Sequence, residues 1–107
     1  MFTASSRSYA DPVLDYLDPD HTLIHHRFYR ENCIFTNNVH IKDLRIFSNY
    51  DLKDIILIDN VAYSFAYQMT NGIPIITWHS DMLDNELENL IDFMTYLANV
   101  EDVRDFI

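Results

Sequence analysis

The sequence predicts an α/β fold with a partly parallel sheet, a β-hairpin excursion and a C-terminal helix. Three observations lead there. Ile55-Ile56-Leu57-Ile58 is an unbroken apolar run closed by Asp59-Asn60, the pattern of a strand buried on both faces. Residues 73–77 form a second apolar run, with Pro74 suggesting an edge position. Leu87, Leu90, Ile91, Met94 and Leu97 then make one apolar stripe at helical spacing, so residues 84–99 read as the longest helix. Asp84, Glu86 and Glu88 favour its N-terminus through the helix dipole.

The remaining elements follow in chain order. A short turn over residues 5–9, capped by Ser5, precedes a helix that starts at Asp11-Pro12. Asp11 can cap it, and Pro12 at the first helical position gives up no needed N–H. Val13, Leu14 and Leu17 are its apolar face, and Asp18-Pro19-Asp20 ends it. Residues 23–30 mix Leu, Ile, Phe and Tyr with His and Arg without a helical period and read as a strand. Residues 33–36 and 39–41 flank Asn37-Asn38, which suits a two-residue hairpin because Asn tolerates positive φ. Residues 61–68 read as a short helix, Asn71-Gly72 as a turn, and Val103, Phe106 and Ile107 as a last short helix packing back. Two or three candidates are few for a parallel sheet, so the sheet is expected to be incomplete.

Composition excludes whole classes. The chain has 107 residues, enough for one small domain at most. Seven Lys plus Arg against 17 Asp plus Glu leave a formal charge of −10, which argues against a nucleic-acid binder. No apolar run approaches a membrane span. Hydrophobic residues at 49% rule out disorder by composition. The opening Met1-Phe2-Thr3 lacks the basic and apolar regions of a signal peptide. Cys33 is the single cysteine, so no internal disulfide forms, in keeping with a reducing compartment.

Three places hold residues suited to chemistry. Asp59 and Asn60 at a strand end offer hard oxygen donors of the kind Mg²⁺ takes; equally, Asp59 caps the next helix. Lys42, directly after a short strand, can aim its ammonium at an anion or lie on the surface as most lysines do. Thr3 within Phe2-Thr3-Ala4-Ser5 can hold a phosphate at a strand-to-helix turn or serve as an ordinary cap. Among the five histidines only His21 and His25 have the i, i+4 spacing, in a stretch that does not read as helix, so a zinc site is not expected. Cys33 has no dyad partner nearby and reads as a structural thiol.

Taken in order, these signals resemble one family. FTAS at 2–5, YADPV at 9–13, LDP at 17–19, HRFYRENC at 26–33 and IKDL at 41–44 are followed by IDN at 58–60 and FAYQ at 65–68. NGIPI at 71–75, Trp78, DNEL at 84–87 and EDVR at 101–104 complete the series. The chain resembles the small C-terminal-domain phosphatases, the NLI-interacting-factor-like branch of the haloacid-dehalogenase-like superfamily, and most of all their small-phosphatase-like members. The likeness runs from Phe2 to Ile107. It implies the C-terminal part of a Rossmann-like parallel-sheet fold with a β-hairpin insertion and a C-terminal helix. It implies Mg²⁺-dependent dephosphorylation of phosphoserine and phosphothreonine proteins through an aspartyl-phosphate, in the nucleus or cytoplasm. On matching positions, Thr3 hydrogen-bonds the phosphoryl group, Lys42 pairs with its charge, Asp59 and Asn60 complete the metal site, and Arg30 lies near the substrate groove.

Two departures stand out. Asp59-Asn60 is followed by Val61-Ala62 where the family usually has Ser-Pro. The family's Asp-x-Asp-x-Thr motif, source of nucleophile and general acid, is absent: the single Asp-x-Asp here, Asp18-Pro19-Asp20, follows a helix rather than a strand. Residues 1–107 are therefore expected to be a partial phosphatase domain lacking that N-terminal segment, inactive and poorly soluble alone. The other reading is a pseudophosphatase fragment that binds a phosphoprotein or a complementing chain.

Overall fold

The computed structural model describes residues 1–107. They form two compact units, Met1–Lys42 and Asp43–Ile107.

In the first unit, helix α1 spans Arg7–Leu17 and buries Ala10 and Leu14 against Tyr29, with Ile24 packed beside them. The helix begins four residues before Asp11-Pro12, with Ser6 at its N-cap and Pro12 inside. Propensity is overridden by packing: Ala10 and Leu14 sit four apart on the face that meets Tyr29, and a start at Pro12 would forfeit half that face. Asp11 caps nothing. Its carboxylate instead accepts from the Tyr29 hydroxyl and from Arg27 Nη1 at 3.0 Å.

Residues 23–30 are not a strand; they contribute one parallel bridge, Phe2 to Phe28. The reason lies in Asp18, whose carboxylate accepts the N–H groups of Thr22, Leu23 and Ile24 at 3.0, 3.1 and 2.8 Å. Donors spent on a side chain are lost to a ladder. These same bonds, Ile24 first, hold the Asp18 carboxyl below its ordinary range.

The hairpin forms as expected. Strands β1 (Ile34–Thr36) and β2 (Val39–Ile41) pair antiparallel around Asn37 and Asn38, at φ 50° and 62°. Both central residues left-handed is the requirement of a type I′ turn.

In the second unit, β3 (Leu57–Asp59) and β4 (Gly72–Pro74) pair in parallel, Ile58 beside Ile73. This is the parallel pair the two apolar runs predict, each strand three residues long. The connection is a 3₁₀ turn at Ala62–Phe65 and another at Met69–Asn71, where one helix was expected. Asn71, 1% exposed, donates to the carbonyls of Leu52 and Ile55 and pins that turn to the segment leading into β3. Two apolar clusters fill the unit. Leu44, Leu57 and Phe65 form one; Ile73, Leu97 and Val103 form the other.

The C-terminal helix is broken at Leu90 into α2 (Glu86–Asn89) and α3 (Ile91–Leu97). Its stripe is divided too: Leu97 is buried and Leu90 and Met94 pack on that cluster, while Leu87 and Ile91 are 66% and 59% exposed. Val103–Asp105 closes the chain as a 3₁₀ turn with Val103 buried, and Phe106 and Ile107 stay outside. No helix is long and apolar enough to cross a membrane.

Candidate functional site

The first unit gathers three of the expected residues on the segment 2–5. The Phe2 bridge, with Thr3 N–H donating to the Phe28 carbonyl at 2.9 Å, fixes the backbone where Thr3 sits. Thr3 Oγ1 accepts the Ser5 N–H at 3.0 Å, a local turn that orients the hydroxyl. Arg30 is anchored by its own N–H on the Ser5 carbonyl and by Nε on the Ala4 carbonyl at 2.7 Å. Lys42, at the end of β2, is buried, with Nζ 5.9 Å from the centre of the Phe2 ring. Two cationic side chains and one hydroxyl thus meet a single tetrapeptide, a donor set for a phosphoryl group. The Cys33 thiol lies 3.9 Å from the Thr3 carbonyl and 3.8 Å from that of Tyr29, in keeping with a structural thiol.

The second unit places Asp59 and Asn60 at the carboxyl end of β3, where open α/β sheets bind ligands. Asp59 is buried and its Oδ1 accepts the Val61 N–H at 2.8 Å. Asp59 does not cap the following Ala62–Phe65 turn, whose N-cap is Val61, and a carboxylate has about four acceptor positions, so this one bond does not exhaust it. Asn60 Nδ2 donates to Thr77 Oγ1 at 3.0 Å, which directs the carboxamide and leaves its oxygen as the donor for a cation. One carboxylate and one amide oxygen fit Mg²⁺, which takes few protein ligands and keeps waters and phosphate oxygens. No group of three His, Cys, Asp or Glu side chains is assembled.

Beside Lys42 in the chain lies a network that motif spacing does not reveal. Asp43, 5% exposed, accepts from the Arg45 backbone N–H and guanidinium, at 2.6–3.1 Å, and from Gln68 Nε2 at 2.8 Å. The Arg45 fork above all holds the Asp43 carboxyl down to about 2. Gln68 also accepts the Leu44 N–H at 2.9 Å. The one sequence signal was an Asp directly after the lysine, at the cap of a short turn. No buried side-chain nitrogen or oxygen lacks a partner.

Comparison with known proteins identifies the family. The model of the NLI interacting factor-like phosphatase family matches residues 1–104. The chain is 43% identical over 107 residues to CTD small phosphatase-like protein 2 of Dictyostelium discoideum, covering all of this chain and 18% of that protein. It is 41% identical over 107 residues to Nuclear envelope morphology protein 1 of Schizosaccharomyces pombe, of which it covers 22%. It is 37% identical over 103 residues to human Carboxy-terminal domain RNA polymerase II polypeptide A small phosphatase 1, covering 96% of this chain and 39% of that one. The chain thus spans about a fifth to two-fifths of the length of these relatives. With a family model matched across nearly its whole length, the chain belongs to the NLI interacting factor-like phosphatases.

Proposed function

We propose that these residues form the phosphate- and metal-binding part of a Mg²⁺-dependent protein serine/threonine phosphatase that works through an aspartyl-phosphate. The carrying observation is the convergence of Thr3, Arg30 and Lys42 on the segment 2–5. Thr3 donates its hydroxyl to a phosphoryl oxygen, Lys42 neutralises phosphoryl charge, and Arg30 holds the substrate alongside. Asp59 and Asn60 supply oxygen ligands, and a bound Mg²⁺ would stabilise charge on the phosphoryl oxygens. The nucleophile and the acid for the leaving alkoxide are not among these residues. The substrate class is a phosphoserine or phosphothreonine protein, of the kind named for the human relative, which acts on the C-terminal domain of RNA polymerase II. Nucleus and cytoplasm both fit that class.

The test is binding of a phosphoserine peptide and its unphosphorylated twin to the 107-residue chain. Only the phosphorylated form should bind. Lys42→Met should weaken it about tenfold, the scale of one charge-assisted hydrogen bond. Equal binding of the two peptides, or of wild type and Lys42→Met, would sink the phosphate reading. Asp59→Asn should separately reduce Mn²⁺ uptake followed by electron paramagnetic resonance, and unchanged uptake would remove Asp59 from the metal site.

The second reading is a phosphoprotein-binding fragment without turnover. It is favoured by one observation: the single Asp-x-Asp, Asp18-Pro19-Asp20, lies past the end of α1 with Asp18 committed to three backbone N–H groups. That carboxylate is occupied as a structural acceptor and has no strand to carry it as a nucleophile.

A further inference from the structure

We propose that Thr77 is a positioning residue for Asn60, its hydroxyl holding the carboxamide with the oxygen turned to the cation. The inference rests on the reading of Asp59 and Asn60 as metal ligands given above, and it concerns the second unit alone. A carboxamide has two unlike ends, and only its oxygen ligates a hard cation. Asn60 is exposed at the strand end, so core packing does not choose which end faces the ion. The choice falls to a hydrogen-bonding neighbour. Asn60 Nδ2 donates to Thr77 Oγ1 at 3.0 Å, across 17 positions of sequence.

The parallel strands bring Thr77 there. Asp59 pairs with Pro74, and the Ile75 N–H donates to the Asp59 carbonyl at 3.1 Å. The ladder thus runs on past the last strand pair, and Thr77 lies on the chain leaving β4. A hydroxyl can accept or donate, so without a metal it tolerates either end of the carboxamide. A cation on Oδ1 removes that indifference. It draws electron density out of the amide, which makes Nδ2–H the stronger donor and Thr77 Oγ1 its acceptor. Bond and ion then support each other, and a side chain already held loses less freedom when the ion arrives. Partners behind a metal ligand are typically worth about 10- to 100-fold in metal affinity.

The test is Mn²⁺ binding to the full chain, with the free ion followed by electron paramagnetic resonance to give Kd. The uptake that Asp59→Asn removes belongs to the site; binding by the acidic surface is a background shared by every variant. Thr77→Val keeps the shape and deletes the hydroxyl, and should raise the Kd of the site about tenfold. Thr77 is exposed, so this change leaves no buried polar group unpaired. Thr77→Ser restores the hydroxyl and should bind as the wild type does. Thr77→Ala takes the place of Thr77→Val if that variant does not fold.

Val103→Ala is the control. It opens space in the Ile73, Leu97 and Val103 cluster and removes no polar group, so it should lower thermal stability yet keep the wild-type Kd. A Kd for Thr77→Val equal to wild type overturns the inference and leaves the metal reading standing. Thr77→Ser as weak as Thr77→Val overturns a role for the hydroxyl. Equal weakening in Val103→Ala assigns the effect to lost stability and overturns the inference too. Uptake unchanged by Asp59→Asn overturns the metal reading, and the inference with it.

Discussion

Gly72 shows how a single residue type is dictated by its neighbour. A Cβ built there meets the Phe65 ring at 2.2 Å, far inside any real contact. Phe65 is buried with Leu44 and Leu57, and the nearest atom is the root of its ring rather than the tip. Gly72→Ala should destabilise the second unit by about 1–3 kcal/mol, the usual cost of overpacking, read as a lower midpoint in thermal unfolding. An unchanged midpoint would show that Phe65 moves freely. Asp43 carries a pH prediction. Its folded pKa of about 2 lies below the ordinary value of 3.8, so its stabilisation is fully present above the ordinary value. It is lost as pH falls from there through about 2. Asp43→Asn should flatten that acid limb in a circular dichroism titration, and an identical limb would remove Asp43 from the account. Sequence spacing pointed to Lys42 but not to Asp43 or Gln68. Their partnership spans 25 positions, and no local pattern encodes a contact at that distance.

Element by element, the divergences arise where side-chain packing or side-chain hydrogen bonds override what local rules assign to secondary structure. Pro12 marked a helix start by local rules, yet α1 begins earlier because Ala10 is needed against Tyr29. Residues 23–30 had strand composition, yet Asp18 takes two of their donors, Leu23 and Ile24, and that of Thr22 just before them. The Tyr29 hydroxyl and Arg27 both close on Asp11, and Arg27 reaches Asp15 at 2.9 Å, tying α1 to the segment that follows it. Tyr29→Phe deletes one of these bonds within the first unit. It should speed amide exchange along α1 while leaving the β1–β2 hairpin unchanged, and equal exchange in α1 would show that Arg27 suffices. The hairpin was legible because its turn is local: two adjacent Asn residues at positive φ determine the pairing.

For the molecule, the second unit leaves large apolar side chains in water. Met82 and Leu83 are 86% and 88% exposed. Ile58, Leu87, Leu90, Ile91, Met94 and Ala98 line an open groove of about 470 Å³. A two-stranded parallel sheet is also unusual, since such sheets are normally larger and covered on both faces. The 107-residue chain on its own should therefore bind a hydrophobic dye and self-associate at micromolar concentration. A monodisperse, dye-silent monomer in sedimentation would contradict this. The same chain should show no Mg²⁺-dependent hydrolysis of a phosphopeptide, because no strand-borne Asp-x-Asp-x-Thr is within it. Measured turnover would assign a nucleophile that neither the motif order nor the geometry supplies.

The sequence by itself determined the family, the parallel pair and the hairpin, and put forward Thr3, Arg30, Lys42, Asp59 and Asn60 as site candidates. Each of those is written in a contiguous motif. Only the tertiary structure decided where α1 begins, why residues 23–30 are no strand, that the last helix breaks at Leu90, and that Gln68 grips the peptide after Lys42. For α1, residues 23–30 and Gln68, those outcomes are settled by packing and by side-chain hydrogen bonds, near in sequence at Asp18 and far at Gln68. Burial makes an unpaired polar group more costly than a violated local preference, so the satisfied partner prevails.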